Sequence, residues 1–161
     1  MRKRARLRAP RAGDMGRVVQ LHGALYAKEF GYDATFEALV AEIVAGFVRN
    51  FDPKRERCWI AELGGEVVGS VFLVKASPAV SKLRLLIIDP KARGLGLGRR
   101  LTRACIAFAR KRRYRKIVLW TQSHLAAARA LYQAENFKLK SKEKHFSFGR
   151  RLVAETWELK L

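Results

Sequence analysis

The stretch LRLLIIDPKARGLGLGRR, residues 83–100, decides the fold. Six residues, Leu83-Arg84-Leu85-Leu86-Ile87-Ile88, form an almost wholly apolar run of strand length. Asp89-Pro90 stops it, because proline has no N–H to give to a ladder and restricts the residue before it. Gly94, Gly96 and Gly98 follow in alternation, then a helical pattern that opens at Arg99. Glycine lets the backbone approach a ligand with no Cβ in the way. The first turn of the helix adds N–H groups without intrahelical partners and the positive end of the helix dipole. A strand, glycine turn and helix in this order suit a phosphate or pyrophosphate.

Elements with clear periods lie on either side. Ala5 to Ala9 alternates enough for an edge strand. Gly13-Asp14 starts a helix whose apolar residues are Val18, Leu21, Leu25 and Phe30, with Gly31 ending it. Thr35 is expected to cap a second helix, carrying Phe36, Leu39, Val40, Ile43, Val44 and Phe47, that ends near Asn50. A hairpin follows, with strands 58–63 and 67–74 about Gly64-Gly65. After the central strand, 82–88, a helix runs from Arg99 to about Arg113, and 116–121 is a short apolar strand suited to a sheet covered on both faces. The spacing of Leu125, Ala128, Leu131 and Tyr132 predicts a helix over 124–135. Beyond it, Lys138, Lys140, Lys142 and Lys144 alternate with Phe137, Leu139, Ser141 and Glu143, which predicts a strand with one solvated basic face. A turn at 146–149 and a last strand over 152–161 complete the order β-α-α-β-β-β-α-β-α-β-β. That order describes an α/β (α+β) chain: one domain over 1–161, with a mixed sheet and helices on both faces.

The 161 residues, about half of them apolar, are enough for one sizeable core. No apolar run approaches the roughly 20 residues that span a bilayer, so no membrane partner is expected. Met1-Arg2-Lys3-Arg4 is basic, but no apolar segment follows it in the manner of a secretory signal. Cys58 and Cys105 fall inside apolar patterns without metal-ligand spacing, which reads as reduced thiols in a cytoplasmic protein. No His, Cys, Asp or Glu cluster suggests a metal. Lys and Arg together number 34 against 14 acids, a formal charge of +20. Such a balance attracts polyanions: a phosphorylated cofactor, nucleic acid or acidic protein. It is equally compatible with a soluble basic surface.

Two familiar readings of the glycine turn do not fit. A dinucleotide fold wants G-x-G-x-x-G and an acid about 20 residues further on, and the next strand here ends Trp120-Thr121-Gln122. A P-loop wants Lys followed by Ser or Thr. Arg93-Gly94-Leu95-Gly96-Leu97-Gly98 instead resembles the acyl-CoA pyrophosphate loop (R/Q-x-x-G-x-G/A) of the GCN5-related N-acetyltransferases. Ala128-x-x-Leu131-Tyr132 with Asn136-Phe137 resembles the A-x-x-L-Y-x-x-x-G-F helix of that family. More narrowly, GDMG at 13–16, HGALY at 22–26, RERCWIAE at 55–62 and SFG at 147–149 resemble the acetyltransferase half of winged-helix (MarR-type) fusion proteins, here standing alone.

The resemblance implies a sheet of about seven strands flanked by about four helices. It implies acetyl-CoA as co-substrate, in a cleft where the strands at 82–88 and 116–121 splay apart. Pantetheine, an amide chain, would pair with the backbone of Leu86, Ile87 and Ile88 as an added strand. Amides from Gly94 through Arg99, including Leu95 and Leu97, would face the pyrophosphate. Arg93, Arg99 and Arg100 would add charge, and Ala128 would border the same groove. Tyr132 stands where the family has its candidate general acid, though its spacing alone equally makes it a core position. Glu29, Tyr32 and Asp33 fall where the family forms its acceptor wall, and each alone reads as a solvated surface residue. No base is visible, since the central strand offers Lys82 and Arg84 and no carboxylate; His145 is a further candidate. Leu125 stands where the family often has Asn, so Thr121, Gln122 or Ser123 would supply that contact. Asn136 replaces a glycine and tolerates the left-handed conformation.

The implied function is acetyl transfer from acetyl-CoA to a primary amine by direct attack in a ternary complex. The competing functions are a basic nucleic-acid-binding module using 99–116 and 138–144, and an acyl-CoA binder without turnover. A homodimer through the C-terminal strands is compatible with the sequence, and the acceptor amine is open.

Overall fold

The computed structural model describes residues 4–161; Met1, Arg2 and Lys3 of the basic start lie outside the described residues. Its strands are β1 (Arg6–Arg8), β2 (Arg57–Leu63), β3 (Glu66–Lys75), β4 (Val80–Ile88), β5 (Lys116–Gln122), β6 (Lys138–Ser147) and β7 (Arg150–Lys160). Its helices are α1 (Asp14–Phe30), α2 (Ala34–Arg49), α3 (Leu97–Lys111) and α4 (Ala126–Ala134). The seven strands form one sheet in the order β1-β2-β3-β4-β5-β7-β6. Every neighbouring pair is antiparallel except β4 with β5.

Alternation along β3 assigns each helix pair to a face. Phe72 points to a core with Val18 of α1 and with Val40, Val44 and Phe47 of α2. Its neighbours Val71 and Leu73 point the other way, to Leu97, Leu101 and Cys105 of α3 and Tyr132 of α4. A side-chain period of two thus separates two cores across one sheet. At the hairpin, Gly64 and Gly65 have φ of 60° and 84°, the left-handed pair that a two-residue turn between twisted strands requires.

Several boundaries differ from the sequence expectation, each for a local reason. Asp33, not Thr35, caps α2: its carboxylate accepts from the Thr35 N–H at 3.0 Å and also from the Thr35 hydroxyl. The third helix opens at Leu97, because Gly96 takes a left-handed conformation and ends the loop two residues early. The fourth begins only at Ala126, which leaves His124 in the β5–α4 connection. β6 is exposed over Lys138–Lys144 on the Leu139, Ser141 and Glu143 face as well as on the solvated basic face. Among the described residues it pairs only with β7, with a register slip between Leu139 and Ser141, and no layer covers it.

The chain start is held by a part-buried ion cluster around the buried Asp14. The Arg8 guanidinium donates to both Asp14 oxygens, at 2.7 and 3.1 Å, and through Nε to Glu62. β1, the first turn of α1 and β2 are tied together at that point. Among the described residues no helix is long and apolar enough to cross a membrane.

Candidate active site

The site exists because β4 and β5 stop pairing. Their parallel ladder ends at Leu83 with Leu119, yet β4 continues to Ile88 against β3, and β5 to Gln122 against β7. The facing edges beyond that point have no strand partner. A bulge in β4 marks the divergence: Ser70 opposes Ile87 and Phe72 opposes Arg84, leaving one residue more on β4 than on β3. Leu85 takes φ +54° there, and its carbonyl accepts from the Ser70 hydroxyl at 3.0 Å. A leucine in that conformation is costly, and the hydroxyl helps to hold it.

Two cavities occupy the gap. The larger, about 640 Å³, runs from Arg93, Gly94, Gly96 and Gly98 past Leu86, Ile87 and Ile88 to Ala128 and Leu131. The smaller, about 140 Å³, lies among Tyr26, Tyr32, Phe36, Trp120, Phe148 and Tyr132. They meet at Tyr26, Leu86, Leu125 and Ala128.

The glycine loop ends the larger cavity. Gly94 and Gly96 have φ of 78° and 73°, and a Cβ on either would meet nothing within 4 Å. The space above them is open. Among the described residues, the N–H groups of Gly94 through Arg99 have no hydrogen-bond acceptor in the chain, and the first bond of the helix start is Arg100 to the Gly96 carbonyl. Six consecutive donors at a helix N-terminus form an anion cradle. Gly98 serves packing instead. A Cβ there would lie 3.2 Å from Leu131, so α3 and α4 pack closely because it is glycine.

The three arginines are placed differently from one another. Arg93 meets Glu29 at 2.7 Å across the mouth of the larger cavity. Arg100 donates to the Ala5 carbonyl at 2.8 Å and so is tied to the chain start. Arg99 lies beside Glu135 at 3.9 Å, a carboxylate it shares with Arg103. Glu29 therefore borders the loop side, and Asp33, exposed, is spent on the α2 cap.

Tyr32 and Tyr132 both reach the smaller cavity. Gly31, in the left-handed conformation, ends α1 with its N–H on Ala27 and the Tyr32 N–H on Tyr26, an αL closure that turns Tyr32 inward. The Tyr32 hydroxyl lies 2.7 Å from His124 Nε2. Burial raises the Tyr32 phenol well above its ordinary pKa, and burial with the Arg150 charge lowers His124. Tyr132 is buried, and among the described residues its hydroxyl has no hydrogen-bond partner. Burial, helped by Tyr26, holds that phenol protonated far above neutrality. Burial likewise pushes Tyr26 up to about 12.

His145 is engaged on both nitrogens, Nδ1 with the Ser147 hydroxyl and Nε2 with Gln122 Oε1, each at 2.9 Å. Its contribution is to hold Gln122 at the smaller cavity. Asn136 has φ +69°, so the turn after α4 is kept without glycine. No local pattern pairs His124 with Tyr32, 92 positions away; a histidine just before a helical apolar pattern reads as part of the helix.

The model of the acetyltransferase (GNAT) family matches residues 24–137, and the chain belongs to that family. It is 32% identical over 117 residues to N-acetyltransferase 8 of Homo sapiens, covering 69% of this chain and 51% of that protein. To an uncharacterized N-acetyltransferase of Schizosaccharomyces pombe it is 31% identical over 115 residues, covering 70% of each. The chain spans about half the length of the first of these. Among solved structures, a ribosomal-protein-alanine N-acetyltransferase from Brucella melitensis superposes with a TM-score of 0.78 at 21% identity, over 97% of this chain and 99% of that one. The Salmonella typhimurium protein yncA, solved with its cofactor acetyl-CoA, superposes at 0.77 with 16% identity, over 97% and 93%. These two similarities establish the fold.

Proposed function

We propose that the chain transfers an acetyl group from acetyl-CoA to a primary amine by direct attack, with both bound at once. The observation that carries this is the run of unpartnered N–H groups from Gly94 to Arg99 at the end of a cavity bordered by the unpaired edge of β4. The residues fit the cofactor: the open cradle suits a diphosphate, and the free backbone edge of Leu86–Ile88 suits an amide chain. When bound there, acetyl-CoA would supply an activated acyl carbon and a good leaving group.

The chain's own part is proton management. The Tyr132 hydroxyl is kept protonated by burial, so it acts as a donor to the departing sulfur. Tyr32 and His124 take the amine's proton on the acceptor side. With His124 neutral and Nε2 unprotonated, the Tyr32 hydroxyl donates to it, so a proton arriving at the Tyr32 oxygen sends its own on to His124. His124 is exposed and passes it to solvent. Cys58 and Cys105 are free and buried, which suits a reducing, cytoplasmic setting.

Acetyl-CoA mixed with an amine panel should release free thiol in proportion to amine, and calorimetry should show CoA binding. Absence of CoA binding to the folded chain would overturn the reading. CoA binding without amine-dependent thiol release would reduce the protein to an acyl-CoA binder.

A further inference from the structure

The smaller cavity carries an unbalanced charge. Lys82 and Arg84, two residues apart on β4, both reach it, and among the described residues no Asp or Glu lines it. Among the described residues neither cation forms an ion pair. Arg84 Nε is fully buried with no hydrogen-bond partner. Burial lowers the pKa of both groups, Lys82 is lowered further by Arg84, and no carboxylate opposes either effect. Arg84 also borders a neighbouring hollow that contains Glu42 and Glu56. Glu56, however, is engaged with the backbone N–H groups of Lys75 and Asp52, and neither acid pairs with the arginine. Cations drawn out of water are normally paired. Two adjacent unpaired ones at the wall of a cavity describe a place for an anion.

A second buried polar group without a partner stands at the wall of the same space. His22 Nδ1 lies 2.8 Å from the Val18 carbonyl, which can only accept, so Nδ1 carries the proton. Nε2 therefore presents a lone pair; it is buried, lacks a partner, and belongs to a residue at the cavity wall. Burial lowers this histidine to about 4, so it is neutral at pH 7 and accepts an N–H. The remaining walls are aromatic: Tyr26, Tyr32, Phe36, Trp120 and Phe148.

We propose that the acceptor is an amino carboxylate with an apolar or aromatic side chain, a free amino acid or a compound built like one, whose carboxylate rests on Arg84 and Lys82. The proposal rests on the acetyl-transfer reading and names its substrate class. The amine reaches the His22 lone pair, and the side chain lies among the rings. The same two cations favour the uncharged form of a nearby amine, which is the form that attacks. The new bond is amine nitrogen to acetyl carbon, the bond broken is acetyl carbon to sulfur, and the amine's proton leaves by Tyr32. Polyamines and aminoglycosides are disfavoured, because their extra positive charges would face Lys82 and Arg84.

The test uses matched amines with the 161-residue chain and acetyl-CoA: L-phenylalanine against phenethylamine, L-leucine against 3-methylbutylamine, and spermidine. The expected kcat/KM for each amino acid exceeds that of its decarboxylated partner by about 100-fold, because loss of the carboxylate leaves both cations unpaired. Arg84→Gln lowers kcat/KM for phenylalanine far more than for phenethylamine. Calorimetry of L-phenylalanine with the CoA-saturated protein gives a readout independent of turnover, and the wild-type comparisons need no variant to fold. Equal or faster turnover of phenethylamine or spermidine overturns the proposal and leaves acetyl transfer standing. Saturable binding of phenylalanine with no turnover of any amine does the reverse. Amino acids that neither bind nor turn over would overturn it.

Discussion

The Tyr32 hydroxyl and His124 Nε2 lie 2.7 Å apart, joining the α1–α2 connection to the β5–α4 connection across the mouth of the cleft. The two residues reach that point by separate devices: a glycine closure turns Tyr32 inward, and the late start of α4 leaves His124 free of the helix. Because burial and Arg150 lower His124, it must be neutral to accept a proton and is neutral over most of the working range. Activity should therefore fall on acidification with a midpoint below the ordinary histidine value of about 6.5. His124→Ala should remove that acid limb and lower kcat/KM by about 100-fold. A pH–rate profile of the variant that keeps the wild-type limb would dismiss the relay.

Tyr132 is buried, and Tyr132→Phe removes only a hydroxyl that has no hydrogen-bond partner among the described residues. Packing and CoA affinity should be retained, while the rate of thiol release drops by about 100-fold if the phenol protonates the leaving sulfur. Calorimetry and a thiol assay on the same preparation decide it, and an unchanged rate would leave Tyr132 a core residue.

Arg8→Ala should destabilise the fold by about 3 kcal/mol, because it leaves the buried Asp14 carboxylate without its bidentate partner. Arg8 also holds the Asp14 carboxyl below the usual range. A lowered folded-state pKa gives stability that is complete above the unfolded value and is lost as pH falls through the folded one. Urea unfolding of the wild type should show that loss below about pH 4, and the variant should show less of it.

His22 makes a separate pH prediction. Buried neutral with its pKa lowered to about 4, it resists the proton that the unfolded chain accepts near 6.5. Its contribution is complete above 6.5 and declines between 6.5 and about 4, by about 3 kcal/mol across that window. His22→Leu should flatten this part of the stability curve. A variant whose denaturation midpoint varies with pH as steeply as the wild type would contradict the assignment.

Much of the scaffold could be read from local patterns. The Gly64-Gly65 hairpin, the strand–glycine–helix junction and the left-handed Asn136 each depend on a few adjacent residues whose conformational preferences agree. The boundary of α4 was not legible in the same way. Leu125 continues the helical spacing backward, and nothing near His124 marks a break; the position follows from where β5 ends and α4 packs. Asp33 and Thr35 are both good caps, and the choice between them depended on the Gly31 turn. Lys82 and Arg84 were visible as the absence of a base. Their lack of partners emerges only once α1, α2 and β5 are placed around them with no acid among the residues that line the cavity.

The exposed strand β6 has a bearing on how copies of this protein behave when concentrated. Its outer margin belongs to the end strand of the sheet and carries Lys138, Lys140, Lys142 and Lys144 within seven residues. Two molecules meeting rim to rim would set ammonium groups against one another, which opposes the sheet extension that bare margins invite. Sparing salt should keep such solutions clear, and adding it should be what lets molecules stick.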